Sequence, residues 1–262
     1  METEELLARR DEPLAWVMIN RPHARNAMTR AVWQALAEQV TALHRDAAIR
    51  VIIVRGAGDD AFISGADISE FPALRANAAM TAEYDRDTAN AWLAITAAPQ
   101  PVIAMVNGLC YGGGCAVALA CDLRVAADHA RFAIPAARLG LSYPFEAIER
   151  LVQVVGPTAA ADILLSTRAL DAAEAHHIGL ISRVVPRPEF ETWVRDYALR
   201  MAENAPLTLT AHKLAIQESM KAQGARDVAA VRAAMARCFN SNDYQEGIAA
   251  FLEKRKPRFH GS

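Results

Sequence analysis

Residues 102 to 116, VIAMVNGLCYGGGCA, constrain this chain more than any other stretch. An apolar run rich in β-branched residues passes through Asn107-Gly108 and reaches three consecutive glycines, Gly112, Gly113 and Gly114, before the small apolar series Cys115 to Ala120. That order predicts a buried strand, a loop and the start of a helix. Glycine adopts backbone angles closed to other residues and leaves no side chain between backbone N–H groups and a ligand. A helix start adds unpaired N–H donors and the positive end of the helix dipole. Two readings are open here: a loop that holds negative charge developing on oxygen, as an oxyanion hole does, or a tight strand-to-helix crossing without chemistry.

Around this stretch the chain alternates strand and helix signals. Leu14 to Ile19 and a run before it read as two strands joined at Asp11-Glu12-Pro13, and Thr29 is placed to cap a helix running to about Arg45. Val51 to Val54 reads as a buried strand, Ala76 to Ala97 as a long helix stopped by Pro99 and Pro101, and Asp122 to Ala126 and Arg131 to Ile134 as short strands. Pro144 suits the first position of a helix that Gly156-Pro157 ends. Asp171 and Glu174 have capping-box spacing, Gly179 is a C-terminal stop, and Leu180 to Val185 reads as a strand. Beyond Pro186 the signals are helical, broken near Ala205-Pro206, Gly224 and Ser241. The expected organisation is an α/β core over residues 1–195 and a helical subdomain over 196–262.

A net charge of −2 gives no reason to expect a nucleic-acid surface. The one concentrated basic run, Lys254 to Arg258, is either a solvated tail or a contact for a small phosphorylated ligand. Cys110, Cys115, Cys121 and Cys238 lack the paired short spacings of a zinc site and are read as reduced thiols, which, with no leader or membrane span visible, points to the cytoplasm. A dinucleotide-binding reading fails because the glycines come mid-chain at the wrong spacing, and a serine-hydrolase reading fails for want of G-x-S-x-G.

Six stretches in order resemble the crotonase superfamily, the enoyl-CoA hydratase/isomerase family: NRPHARNAMT at 20–29, AFISGADI at 61–68, VNGLCYGGGCAVALACDLRVA at 106–126, RLGLSYP at 138–144, AAEAHHIGLISRVVP at 172–186 and FLEKRKPRF at 251–259. The resemblance implies a spiral of ββα units with a C-terminal helical region, assembled as a homotrimer or homohexamer. It implies an acyl-CoA substrate, with coenzyme A entering as part of that substrate and no permanently bound cofactor or metal. It also implies a thioester carbonyl polarised by two backbone N–H groups, which fall on Ala66 and Gly113. The CoA contacts carry over to Ala24, Arg25, Ser64, Asp67 and Ile68, and to Phe251 and Lys254 near the end.

The chain departs from that pattern at its acid/base positions. Hydratases of the family carry one glutamate directly after the GGGC run and a second after the proline about twenty residues on; here those positions are Ala116 and Ala136. Alanine neither accepts nor donates a proton, so the usual addition of water has lost both groups. The substitute candidates are Glu146, two residues from where dienoyl-CoA isomerases of the family place an acid, and the phenols Tyr143 and Tyr111. Against each stands a structural role: an acid in the first turn of a helix is favoured by the dipole, and tyrosines commonly form pocket walls. His176-His177 is read as packing. The expectation is therefore a lyase or isomerase acting on CoA thioesters, inefficient as a hydratase, or else a catalytically silent acyl-CoA-binding protein.

Overall fold

A computed structural model describes residues 4–262. Its first sheet has six strands in the order β1-β2-β3-β5-β7-β10, and its second has four in the order β4-β6-β8-β9. The elements follow one another as β1 (Leu6–Asp11), β2 (Leu14–Ile19), α1 (Arg30–Leu43), β3 (Val51–Gly56), β4 (Ala61–Ile63), α2 (Phe71–Leu74) and α3 (Ala78–Ala97). Next come β5 (Val102–Val106), β6 (Leu109–Tyr111), α4 (Gly113–Ala120), β7 (Leu123–Ala127), β8 (Arg131–Ala133) and α5 (Phe145–Ala161). The chain ends with β9 (Leu170–Asp171), α6 (Ala172–His177), β10 (Arg183–Val185), α7 (Phe190–Ala202), α8 (Pro206–Met220), α9 (Val228–Phe239) and α10 (Asn242–Leu252).

The connectivity shows the ββα repeat. β3, β5 and β7 each lay one strand in the first sheet, β4, β6 and β8 follow with one strand each in the second, and a helix returns the chain to begin again. Successive units pair in parallel in both sheets. The first sheet is covered on both faces, which is why its central strands read as unbroken apolar runs. Along β3, Ile52 and Val54 face the main core under α1 and α3, whereas Val51 and Ile53 face a second core closed by Phe190, Val194 and Ala198 of α7. The position 195 expected to divide the chain thus lies inside α7, whose buried face packs on the sheet.

Helix starts follow their caps. Thr29 accepts from the Val32 N–H, Asn77 from the Met80 N–H and Asp171 from the Glu174 N–H. Three local readings change. Residues 109–111, read as loop, pair between β4 and β8 as a strand. Pro144 is the residue before α5 rather than its first, and α5 does not end at Gly156: it kinks there, at φ 77°, and resumes through Pro157 to Ala161. Only Arg183 to Val185 of the expected strand at 180–185 enters the sheet, since Leu180 and Ile181 instead donate backbone bonds to Ala175 after α6.

Candidate active site

The second sheet brings two distant loops together. β4 and β6 are parallel neighbours with Ala61 opposite Leu109 and Ile63 opposite Cys110. Three residues past that second pair stand Ala66, beyond the end of β4, and Gly113, the first residue of α4. Met28 flanks Ala66 as an isolated parallel bridge: its N–H donates to the Gly65 carbonyl at 2.8 Å and its carbonyl accepts from the Asp67 N–H at 2.9 Å. With both of those groups turned to Met28, the Ala66 N–H faces the other way. Gly113 is there: a Cβ built on it would lie 3.5 Å from the Ala66 nitrogen. Because Gly113 opens α4, its N–H has no intrahelical acceptor. Neither N–H donates to any acceptor among the described residues. Two free donors converging at the positive end of a helix are the arrangement that stabilises an oxyanion, at about 2.7–4 kcal/mol per donor when it is preorganised.

The surroundings hold these donors still. Gly112 takes φ 49°, ψ −115° to turn β6 into α4, and a Cβ on Gly114 would sit 2.2 Å from the Ile63 carbonyl oxygen. The Tyr143 hydroxyl donates to the Gly112 carbonyl at 2.9 Å, fastening the segment before α5 to the glycine turn. Burial pushes that phenol well above its ordinary range, so its proton is held in a structural bond. Trp33, buried on α1, lies against Gly113, with its ring 3.1 Å from where a Cβ would stand, and its indole N–H donates to Tyr84. Tyr111 is half-buried on β6, and its hydroxyl has no hydrogen-bond partner among the described residues.

Five of the seven expected CoA contacts gather beside Ala66. Ala24 and Arg25 end a short turn, with Arg25 at φ 52°, and the Ser64 N–H donates to the Arg25 carbonyl at 3.2 Å while its hydroxyl donates to the Ala24 carbonyl. Asp67 accepts from the Ser69 hydroxyl at 2.6 Å and pairs with Arg21 at 3.0 Å. The Ser69 hydroxyl first, and then Arg21, hold its carboxyl below the usual carboxylate range. That charge is committed to the loop, while Ile68 and the Arg25 side chain are exposed. Phe251, 83% exposed, and Lys254 stand apart at the end of α10, and no hydrogen bond or ion pair joins either to Arg25, Ser64 or Asp67 among the described residues.

Ala116 lies on the first turns of α4 and lines a cavity of about 430 Å³ between α3, α4 and α5. Glu146, exposed on the first turn of α5, lines the same cavity, as do Trp92, Leu119 and Arg150. Ala136 is half-buried in a short turn over Pro135–Leu139 and packs against the main core. Glu146 and Glu149 are thus the two carboxylates that share a cavity with the alanine after the glycine run, and neither forms an ion pair among the described residues. Arg150 had no distinguishing motif, although its place four residues after Glu146 puts the two on one helix face. His176 and His177 are exposed on α6. Cys110 and Cys115 are free and buried, with sulfurs 4.0 Å apart, and burial pushes the Cys110 thiol up. No group of acidic, histidine or cysteine side chains suited to a metal ion occurs among the described residues, and no helix there is long and apolar enough to cross a membrane.

Known proteins resemble this chain along nearly its whole length. The family model described as enoyl-CoA hydratase/isomerase matches residues 9–262. A crotonyl-CoA hydratase of Syntrophomonas wolfei is 36% identical over 259 residues, covering 99% of both chains. A 2,3-dehydroadipyl-CoA hydratase of Escherichia coli is 33% identical over 257 residues, covering 98% of this chain and 99% of that one. Among solved structures, an enoyl-CoA hydratase/carnithine racemase from Magnetospirillum magneticum superposes with a TM-score of 0.95 at 37% identity, covering 100% of this chain and 97% of the other.

Proposed function

Since the chain belongs to the enoyl-CoA hydratase/isomerase family, we propose that it binds an acyl-CoA and stabilises a thioester enolate between the Ala66 and Gly113 N–H groups, with weak hydration of enoyl-CoA. The observation that carries this reading is the pair of N–H donors at Ala66 and Gly113 without an acceptor among the described residues, with Ala116, which cannot move a proton, three residues after Gly113 on α4. An oxyanion hole with one proton-transfer group suffices for isomerisation, decarboxylation or C–C cleavage, whereas syn-addition of water needs two. Of the two acids on the cavity wall, Glu146 and Glu149, Glu146 is assigned that single role because it stands on the first turn of α5, directly after the segment that Tyr143 fastens to the glycine turn, and forms no ion pair among the described residues. Tyr111, with its free hydroxyl, is the next candidate, and Tyr143 ranks below it because its proton is bound to Gly112. Ala24, Arg25, Ser64, Asp67 and Ile68 are assigned to the CoA moiety beside the donors, and Phe251 and Lys254 to the same moiety from the C-terminal helices.

Crotonyl-CoA hydration by the natural chain is expected barely above background, and a robust rate would sink the assignment of weak hydration. Glu146→Gln should abolish turnover of a substrate found on an acyl-CoA panel while CoA-thioester affinity stays within about twofold, the change expected when a group acts only in the transition state. Retained turnover would return Glu146 to helix capping. Alanine at both family acid/base positions also favours a silent acyl-CoA-binding protein, which tight binding without turnover across that panel would establish. The exposed apolar residues Phe239, Phe251 and Leu252 support self-association through the C-terminal helices as a trimer or hexamer, which sedimentation velocity tests directly.

A further inference from the structure

The Gly113 N–H belongs to the same peptide unit as the Gly112 carbonyl, and the two ends of that unit are loaded differently. The carbonyl accepts from the Cys115 N–H at 2.9 Å, from the Ala116 N–H at 3.3 Å and from the Tyr143 hydroxyl at 2.9 Å. The N–H at the other end donates to nothing among the described residues. The second donor is built the same way. Its peptide unit joins Gly65 to Ala66, the Gly65 carbonyl accepts from the Met28 N–H at 2.8 Å, and the Ala66 N–H is left without an acceptor there.

In a planar trans peptide the C=O and N–H point in opposite directions and share one delocalised π system. A donor at the oxygen draws charge from the nitrogen and leaves the N–H more positive, so hydrogen bonds at the two ends strengthen each other. The Met28, Cys115 and Ala116 bonds come from main-chain N–H groups, fixed by the isolated bridge and by the first turn of α4. The Tyr143 bond comes from a side chain. A carbonyl can only accept, so the phenol must donate, and burial pushes it well above its ordinary range, which keeps that proton on the oxygen. Tyr143 is half-buried against the main core. Phenylalanine would fill the same space there and donate nothing.

We propose that Tyr143 is a positioning residue that strengthens the Gly113 donor: its hydroxyl, bonded to the Gly112 carbonyl, polarises the shared peptide unit towards the thioester oxygen. The proposal rests on the acyl-CoA reading above and concerns how strongly that site holds an enolate. One oxyanion-hole donor is worth about 10²–10³ in rate, and cooperative strengthening amounts to about 10–30% per bond. Applied to the logarithm of the first figure, that share makes the Tyr143 bond worth about two- to eightfold in enolate stabilisation.

The test reads the enolate directly and does not depend on the reaction type. Acetoacetyl-CoA absorbs differently as ketone and as enolate, so its enolate-to-ketone ratio at one fixed pH is measured by ultraviolet absorbance, free and bound to an excess of the full chain. Binding to the natural chain should raise the ratio, and Tyr143→Phe should lower the bound ratio about two- to eightfold. Replacing Tyr143 by a ring-fluorinated tyrosine, a stronger donor of nearly the same size, should raise it above that of the natural chain. A change in affinity alone leaves the bound ratio unmoved, and a displaced Gly113 would lower it in both variants, so the opposite signs belong to polarisation. A ratio that does not fall in Tyr143→Phe, or does not rise in the fluorinated chain, overturns the proposal, and the second result decides alone if Tyr143→Phe does not fold. Acetoacetyl-CoA bound to the natural chain with no excess of enolate overturns the oxyanion-hole reading itself, and absence of binding overturns the acyl-CoA reading.

Discussion

Gly112, Gly113 and Gly114 meet three different demands, and substitutions separate them. At Gly114 a Cβ would stand 2.2 Å from a backbone carbonyl oxygen that cannot swing aside, while at Gly112 there is room and only the positive φ is at issue. Gly114→Ala is therefore expected to cost about 2–4 kcal/mol through overpacking, and Gly112→Ala about 1–2 kcal/mol through the left-handed backbone. Urea denaturation of both variants checks the order, and a larger loss at Gly112 would contradict this division of roles. Gly113 is sterically limited by Trp33, but its free N–H makes it the functional one of the three. The sequence suggested a glycine-rich donor loop; it could not distribute the duties, because they depend on Ile63 and Trp33, which reach the loop only through the fold.

At the scale of elements, the site is made by pairing β4 with β6 and by fastening α5 to the glycine turn. The first was not legible: β4 and β6 are three residues each, and β6, with a single inward-facing side chain, carries no periodicity to detect. The fastening depends on Tyr143. Tyr143→Phe removes one donor from a carbonyl that still accepts from the Cys115 N–H at 2.9 Å and the Ala116 N–H at 3.3 Å. No buried acceptor is orphaned, so the expected cost is about 1 kcal/mol, readable as a shift in the urea midpoint at unchanged slope. A loss of several kcal/mol would mean that the segment before α5 relies on this bond alone. Thr29→Ala removes the acceptor for the Val32 N–H at the start of α1 and should cost about 1 kcal/mol by the same measurement. That cap was readable because it needs only local spacing, whereas the continuation of α5 past Gly156 and Pro157 was not, because packing beyond the kink restarts the helix.

Across the whole molecule, short unbroken apolar runs announced the central strands, and the repeated strand-strand-helix order gives the ββα spiral that carries distant residues to one end. Ala66 and Gly113 meet because each lies the same number of residues past a register pair in that spiral, a relation visible in the sequence only through the resemblance to a family. The electrostatic seams that join α1, α3 and α8 were not legible at all. His44 follows α1, and its Nε2–H donates to the Ala94 carbonyl at 2.9 Å. Burial lowers its pKa from the ordinary value of 6.5, and the nearby Lys213 charge on α8 acts in the same direction. The folded chain therefore resists protonation that the unfolded chain accepts, so the stabilisation is fully present above about pH 6.5 and is lost as pH falls through the folded pKa below it. A second loss belongs to lower pH: Arg255 holds Glu246 down at about 2, against an ordinary 4.5, so its contribution disappears as acidification passes between those values. Stability measured by urea titration should decline from pH 7 towards pH 5, and His44→Gln, which keeps an N–H donor for Ala94 but cannot titrate, should flatten that decline while leaving the loss below pH 4.5 in place. An unchanged slope between pH 7 and pH 5 in the variant would remove His44 as its source.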